Sequence, residues 1–267
     1  MGEKVVGPAF DAEYAGLVLP INRIDVEMPW GWLRRGWQDM ARAPAVSLGF
    51  GLVIALVSMV IIYGLWQQDF LAYSFPLAAG FMFVAPFLGI AFYEISRRLE
   101  MSAPLHFHDI AVAWLKRPGR IFSLGLIMML FQVAWMRIAT LLYALFFGPE
   151  PVDWQNFLLH LLTTTDGIFF LIVGSAVGAV LAGLAFAIGV VSFPLLLDRD
   201  VGTAQAIATS VAATLANWRV LLGWGALIVL FTAAGLVTGC LGLIVTMPLI
   251  GHASWHAYRD LVTDANG

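Results

Sequence analysis

The sequence predicts an all-α, polytopic membrane helix bundle with six transmembrane helices, and three observations carry that reading. Of 267 residues, 61% are hydrophobic and 12% charged, against roughly 45–50% and about 25% in soluble domains. Mean hydropathy is +0.87, which leaves too little polar surface to cover a water-soluble globule. The apolar residues also fall into long runs, with the charges gathered between them. A formal net charge of −3 gives no basic footprint, so nucleic acid is excluded as a partner and the lipid bilayer is the first one implied. The single Cys240 excludes an intramolecular disulfide framework and any cysteine-built zinc or iron–sulfur site.

A helix needs about 20 mainly apolar residues to cross the hydrocarbon core. Runs at residues 45–66, 71–93, 121–147 and 167–197 meet that need. The stretch from Arg219 to Trp255 would extend roughly 55 Å as one helix, almost twice the bilayer core. Gly235, Gly239 and Gly242 weaken it in the middle, so it reads as a hairpin of two spans, 219–236 and 239–257. The membrane domain is thus 29–261, between an N-terminal arm of residues 1–28 and a tail of residues 262–267. The arm reads as mobile or as a partner-binding strand. The first apolar run starts too late and is too long for a cleaved signal peptide, so none is expected.

All fourteen Lys and Arg residues except Arg137 fall on one side of these spans. Cytoplasmic loops carry the basic excess, so both termini are expected in the cytoplasm of a bacterial inner membrane.

The spans carry an internal pattern. Pro86, Gly89, Ala91, Tyr93, Arg97 and Leu99 recur in register as Pro248, Gly251, Ala253, Trp255, Arg259 and Leu261. Leu48-Gly49-Phe50-Gly51 matches Leu222-Gly223-Trp224-Gly225, and a fainter middle copy has Leu124-Gly125 and Phe193-Pro194-Leu195. The expected unit is an interfacial amphipathic helix followed by a transmembrane hairpin, used as three pseudo-repeats. In the first leader Pro29 precedes Trp30, Leu33, Trp37 and Met40 or Ala41 at helical spacing. Trp30, Trp32, Arg34, Arg35 and Trp37 are its expected headgroup anchors. The second leader has Asp109 as N-cap, Trp114 as anchor and Pro118-Gly119 as breaker. The third, 202–214, is a weaker version.

The opening Pro20-Ile21-Asn22-Arg23, the segment Pro29-Trp30-Gly31-Trp32-Leu33, the tail Tyr93-Glu94-Ile95-Ser96-Arg97-Arg98 and the closing Tyr258-Arg259-Asp260-Leu261 resemble the DUF2189 family of bacterial inner-membrane proteins. The resemblance implies a polytopic membrane protein and no defined activity. Some family names point to cytochrome c oxidase subunit I. A catalytic oxidase subunit needs a longer chain and intramembrane histidines for haem and copper, whereas His106, His108, His160, His252 and His256 read as loop or span-end residues. Association with a respiratory complex is what remains of that name.

Arg137 is the one ionisable residue well inside a span and the candidate functional residue there. Snorkelling, or pairing with Asp166, Asp153 or Glu150, is the structural alternative. His252 and His256, four apart, could share a metal, as could His106 and His108. Nothing brings the pairs together, and Ile90 and Glu94 hold the histidine positions in the matching copy, so no metal or cofactor is expected. Glu94 is expected to pair with Arg97 and Arg98. Asp166 reads as an N-cap, and Gly174 and Gly178 as a packing face. Pro86, Pro194 and Pro248 are expected to kink their helices. Residues 151–165, with Trp154, Phe157, Leu158 and Leu161, read as a surface helix. No Ser/His/Asp, Walker, Rossmann or paired-carboxylate pattern emerges, so an enzyme is not expected. The expected role is a non-catalytic accessory, assembly or scaffold component, and the alternative is a small-molecule or lipid transporter.

Overall fold

A computed structural model of the chain describes residues 16–68, 70, 74–148 and 154–263. They form helices α1 (Met28–Arg42), α2 (Pro44–Gln67), α3 (Ser74–Leu88), α4 (Ile90–Glu100), α5 (Phe107–Ala111), α6 (Pro118–Phe147), α7 (Trp154–Thr163), α8 (Thr165–Gly189), α9 (Ser192–Asp198), α10 (Thr203–Ala216), α11 (Trp218–Val237) and α12 (Leu243–Leu261). Among the described residues the only β pairing is a single bridge between Ile21 and Val262.

Four segments are long and apolar enough to cross a membrane: α2, α6, α8 continued through α9, and α11. The sequence led us to expect six. The 71–93 run is cut short because Pro86 removes a backbone donor and the helix breaks at Gly89. Its apolar part, α3, has 15 residues, about 22 Å of helix. In α12 the second half carries His252, His256, Arg259 and Asp260, and it is wrapped by protein from Met247 to Tyr258. Pro194 follows a second break at Val190 and Val191, whereas Pro248 sits inside a continuous α12. The hairpin turn falls where the glycines placed it, with Gly239 and Cys240 both at positive φ.

The long helices sort into two groups. Helices α2 and α11 each pack on α12, α3, α6 and α8 pack on one another, and contacts between the groups are sparse along the spans. The groups are joined at one end, where α1, α4, α9, α10 and the second half of α12 form a dense layer. This is the end to which the basic residues belong. Close approach there depends on glycine. A Cβ on Gly36 would sit 2.7 Å from the Ala253 amide nitrogen, and one on Gly51 would sit 2.4 Å from the Ile244 carbonyl oxygen. Both contacts are backbone against backbone, so neither partner can yield, and α1 and α2 are fixed against α12 by the absent side chain.

Away from this layer the surface is greasy. Leu126, Leu130, Leu141 and Leu145 of α6 and Val57, Val60 and Ile61 of α2 are all exposed, a face suited to hydrocarbon rather than water.

The expected arm and tail are partly docked. Asn22 accepts no freedom at either side: its amide nitrogen donates to the Leu261 carbonyl at 2.9 Å, and the Asn217 side chain donates to its carbonyl at 2.9 Å. Ile24 donates to Asn217 Oδ1, Leu19 to Thr209 Oγ1, and Thr263 to the Pro20 carbonyl. Residues 1–15 and 264–267 lie outside the described residues.

Candidate functional site

In the dense layer, four helices each contribute to one chain of buried hydrogen bonds. Ser47 comes from the first turn of α2, Ser96 from α4, Asp39 from α1, and His252 and His256 from α12. Ser47 Oγ lies 2.9 Å from His252 Nε2, and Ser96 Oγ lies 2.8 Å from His252 Nδ1. Ser96 donates to Asp39 Oδ2 at 2.7 Å, and His256 Nε2 approaches the same oxygen at 2.8 Å. One proton order satisfies every atom. Ser96 gives its only proton to the carboxylate, so His252 Nδ1–H must donate to Ser96 and His252 Nε2 accepts from Ser47. His256 donates the second hydrogen bond to Asp39. Burial pushes the Asp39 carboxyl up, but the hydrogen bonds from His256 and Ser96 and the nearby imidazoles outweigh it and hold the group below its ordinary range.

This is an arrangement of Ser, His and Asp that no spacing in the sequence revealed, because Asp39, Ser47, Ser96 and His252 are brought together only by packing. Ser47, Ser96 and His252 are fully buried. Only the Asp39 and His256 end meets a cleft, which is shared with Arg35, Gln38, Arg42 and Glu100. His252 is mid-helix rather than at a span end, and both its ring nitrogens are engaged by serines. Among the described residues no group of three or more His, Cys, Asp or Glu is placed to hold a metal ion. His106 and His108 lie exposed, apart from the α12 pair.

A second buried carboxylate, Glu94, is built differently. Its side chain has no exposed surface and meets three cations. Arg97 grips it with two hydrogen bonds of 2.9 and 3.1 Å, Arg98 Nε donates at 2.7 Å and Lys116 Nζ at 2.6 Å. The expected i, i+3 and i, i+4 pairs are present; Lys116, from the loop before α6, could not be read from helical spacing. Burial raises the Glu94 carboxyl, yet the Arg97, Lys116 and Arg98 hydrogen bonds win and hold it low. Burial pulls the Lys116 ammonium below its usual value despite Glu94 beside it, whereas Glu94 raises Arg98. Asp109, expected as an N-cap, lies inside α5 and pairs with Arg98 at 3.0 Å.

The expected anchors divide. Trp30 and Trp37, 65% and 55% exposed, share the outer face of α1 with Arg34 and Arg42. Trp32 is instead turned wholly into protein, where its indole donates to Asp260 at 2.8 Å beside an Arg35–Asp260 ion pair. Two residues on from Trp30, Trp32 lies about 200° round the helix from it, on the inward side. Trp114 is half-buried and donates to the Phe87 carbonyl at 3.0 Å, and its leader is only a short helix and a single turn, Ala113–Leu115. Pro118 starts α6 rather than breaking a helix. The third leader, α10, buries Ala206, Thr209, Ser210, Ala212 and Ala213.

Arg137 is exposed on α6 and has no ion-pair partner among the described residues; Asp153 and Glu150 lie outside them. Thr164, not Asp166, caps α8 by accepting from the Gly167 amide at 3.1 Å. Gly178 packs on Trp135 of α6, while Gly174 faces open space. Leu161 of α7 is buried, and the side chains of Trp154, Phe157 and Leu158 lie outside the described residues.

A family model described as predicted integral membrane protein (DUF2189) matches residues 74–198. That stretch runs from α3 through α9 and contains the Glu94 cluster, so the resemblance read from the Tyr93 to Arg98 segment holds there. No curated protein and no solved structure matches the chain.

Proposed function

We propose that this integral membrane protein is a non-catalytic organiser of other membrane components, built as a six-span bundle with both termini in the cytoplasm of a bacterial inner membrane. The observation that carries the reading is that both buried carboxylates of the dense layer are spent on neighbouring protein groups. Glu94 is neutralised by three cations, and Asp39 is held by Ser96 and His256. Ser47 and His252, the pair nearest in type to a nucleophile and base, have no surface a substrate could reach. Such a layer holds helices in fixed relation, and it leaves Trp30, Arg34, Trp37 and Arg42 on its outside to meet lipid headgroups.

In this reading α3 and α12 are the two short returning spans, covered by neighbours, which is why length and hydropathy alone do not mark them. The proposed threefold unit is supported by α4 and α12, whose polar residues enter the same layer. A reporter fused after residue 263 should be found in the cytoplasm; an external reporter overturns the topology. Partners, a respiratory oxidase among them, should remain with the full chain through purification in mild detergent. Repeated isolation of the chain alone removes the scaffold role. The alternative, small-molecule or lipid handling, is favoured by one observation, the cavity between the two helix groups. Arg137 is not among the residues lining it.

A further inference from the structure

Between the two groups of long helices lies a cavity of about 70 Å³. One wall is Phe83 and Pro86 of α3, Met128 of α6 and Ala182 and Phe186 of α8; the other is Ile228 of α11 and Met247 and Ile250 of α12. No charged side chain lines it. Three hydroxyls do: Tyr93 from α4, Thr232 from α11 and Ser254 from α12. These residues are 5%, 3% and 6% exposed, and their hydroxyl oxygens, reached by no hydrogen bond among the described residues, keep some accessible surface rather than being sealed in protein. The Tyr93 oxygen lies so close to Gly89 that a Cβ there would meet it at 2.7 Å.

Buried hydroxyls are normally satisfied, either locally or by a neighbour. Thr140, Thr209 and Thr214 do so here by bonding the carbonyl one turn back. Three hydroxyl-bearing residues from three helices, lining one space and paired with no protein group among the described residues, point to an occupant that supplies the missing partners. The absence of charge requires a neutral occupant. The apolar remainder of the wall requires hydrocarbon next to its polar atoms. The volume is about half that of the ~150 Å³ engineered cavity that takes benzene, so only the end of a molecule fits.

Ala182, Phe186 and Ile228 are only partly buried. They lie where α8 and α11 make little contact, so the mouth opens sideways, toward lipid. We infer that this cavity binds the oxygen-bearing end of a neutral lipophile, an alcohol, ester or ketone on a hydrocarbon tail, entering from the bilayer between α8 and α11.

The test uses the full chain in nanodiscs and a long-chain aliphatic alcohol bearing a diazirine near its hydroxyl, with adducts located by peptide mass spectrometry. Labelling of the cavity segments of α4, α11 and α12 should saturate and be competed by unlabelled dodecanol. Ala182→Phe, which fills the mouth, should abolish it. Ser254→Ala and Thr232→Val should each weaken it about fivefold, the loss of one neutral hydrogen bond. Leu145→Phe, on the exposed face of α6, should leave it unchanged. Labelling that does not saturate, that spreads over the lipid-facing surface, or that is absent because the hydroxyls hold only water overturns the site. If Ala182→Phe does not fold, the two hydroxyl variants decide alone.

Discussion

Glu94 and Asp39 are both buried carboxylates in the same layer, and they are stabilised in opposite ways. Glu94 sits on α4 and draws Lys116 from the segment leading into α6, with Arg97 and Arg98 from its own helix. On the other side His256, on α12, draws Asp39 from α1. In the register read from the sequence, Glu94 and His256 occupy the same place, so one returning helix carries a carboxylate there and the other the imidazole that a carboxylate pairs with. The difference teaches that either member of a buried polar pair can be carried by the returning helix. It also separates a cluster of fixed cations from one made of imidazoles and hydroxyls.

The comparison breaks most visibly if Glu94 is removed. Glu94→Gln leaves Arg97, Arg98 and Lys116 facing one another with Asp109, paired to Arg98 at 3.0 Å, as the remaining counter-charge. Removing one partner of a buried ion cluster costs about 3–5 kcal/mol, and the lower end applies here because the three cations keep some contact with solvent. Unfolding in mixed micelles should show that loss, and a change under 1 kcal/mol would make the cluster ornamental. Asp39→Asn should cost less, about 1–3 kcal/mol, because Ser96 and His256 keep a neutral acceptor. If Asp39→Asn proved the more damaging, the distinction between the two clusters would fail.

Acid should act on both clusters in the same direction. Each carboxyl is held below its ordinary value in the folded protein, so through the carboxylate range the unfolded chain binds more protons than the folded one. The resulting stability is complete above that range and is lost as pH falls through the depressed values. Stability measured against pH should therefore drop on the acid side. The drop should be shallower in both Asp39→Asn and Glu94→Gln, since each removes one of the two groups. An unchanged acid limb in both variants would show that other carboxyls govern it.

The sequence made the class legible because bulk hydropathy is additive and needs no tertiary information. Four spans were visible for the same reason, and so was the pairing of Glu94 with Arg97 and Arg98, which needs only helical spacing. What escaped was set by contacts distant in sequence. Lys116 reaches Glu94 across 22 positions and Asp39 meets His256 across 217. Trp32 looked like its neighbours Trp30 and Trp37, yet Asp260 at the other end of the chain decides that it turns inward. The two short helices escaped by the reverse route: α3 and α12 are apolar enough to suggest spans, but a proline break and a polar second half make length alone a poor guide. Cavity hydroxyls such as Tyr93 and Ser254 gave no signal, since an unsatisfied atom is defined by what surrounds it.

The smallest expected effect is also the sharpest test of the proton order assigned to the Asp39 chain. Ser47 is the terminal donor, bonding His252 Nε2 at 2.9 Å and nothing further. Ser47→Ala removes that bond and leaves one ring nitrogen without a partner, while Ser96 still holds the other. The expected loss is about 1 kcal/mol, at the low end for a neutral hydrogen bond whose partner stays buried. Ser96→Ala, by contrast, interrupts the chain at its middle and leaves both His252 Nδ1 and Asp39 short of a partner, so it should cost about twice as much. Equal losses would mean that Ser47 and Ser96 stabilise His252 independently, and the directional chain running to Asp39 would have no energetic existence.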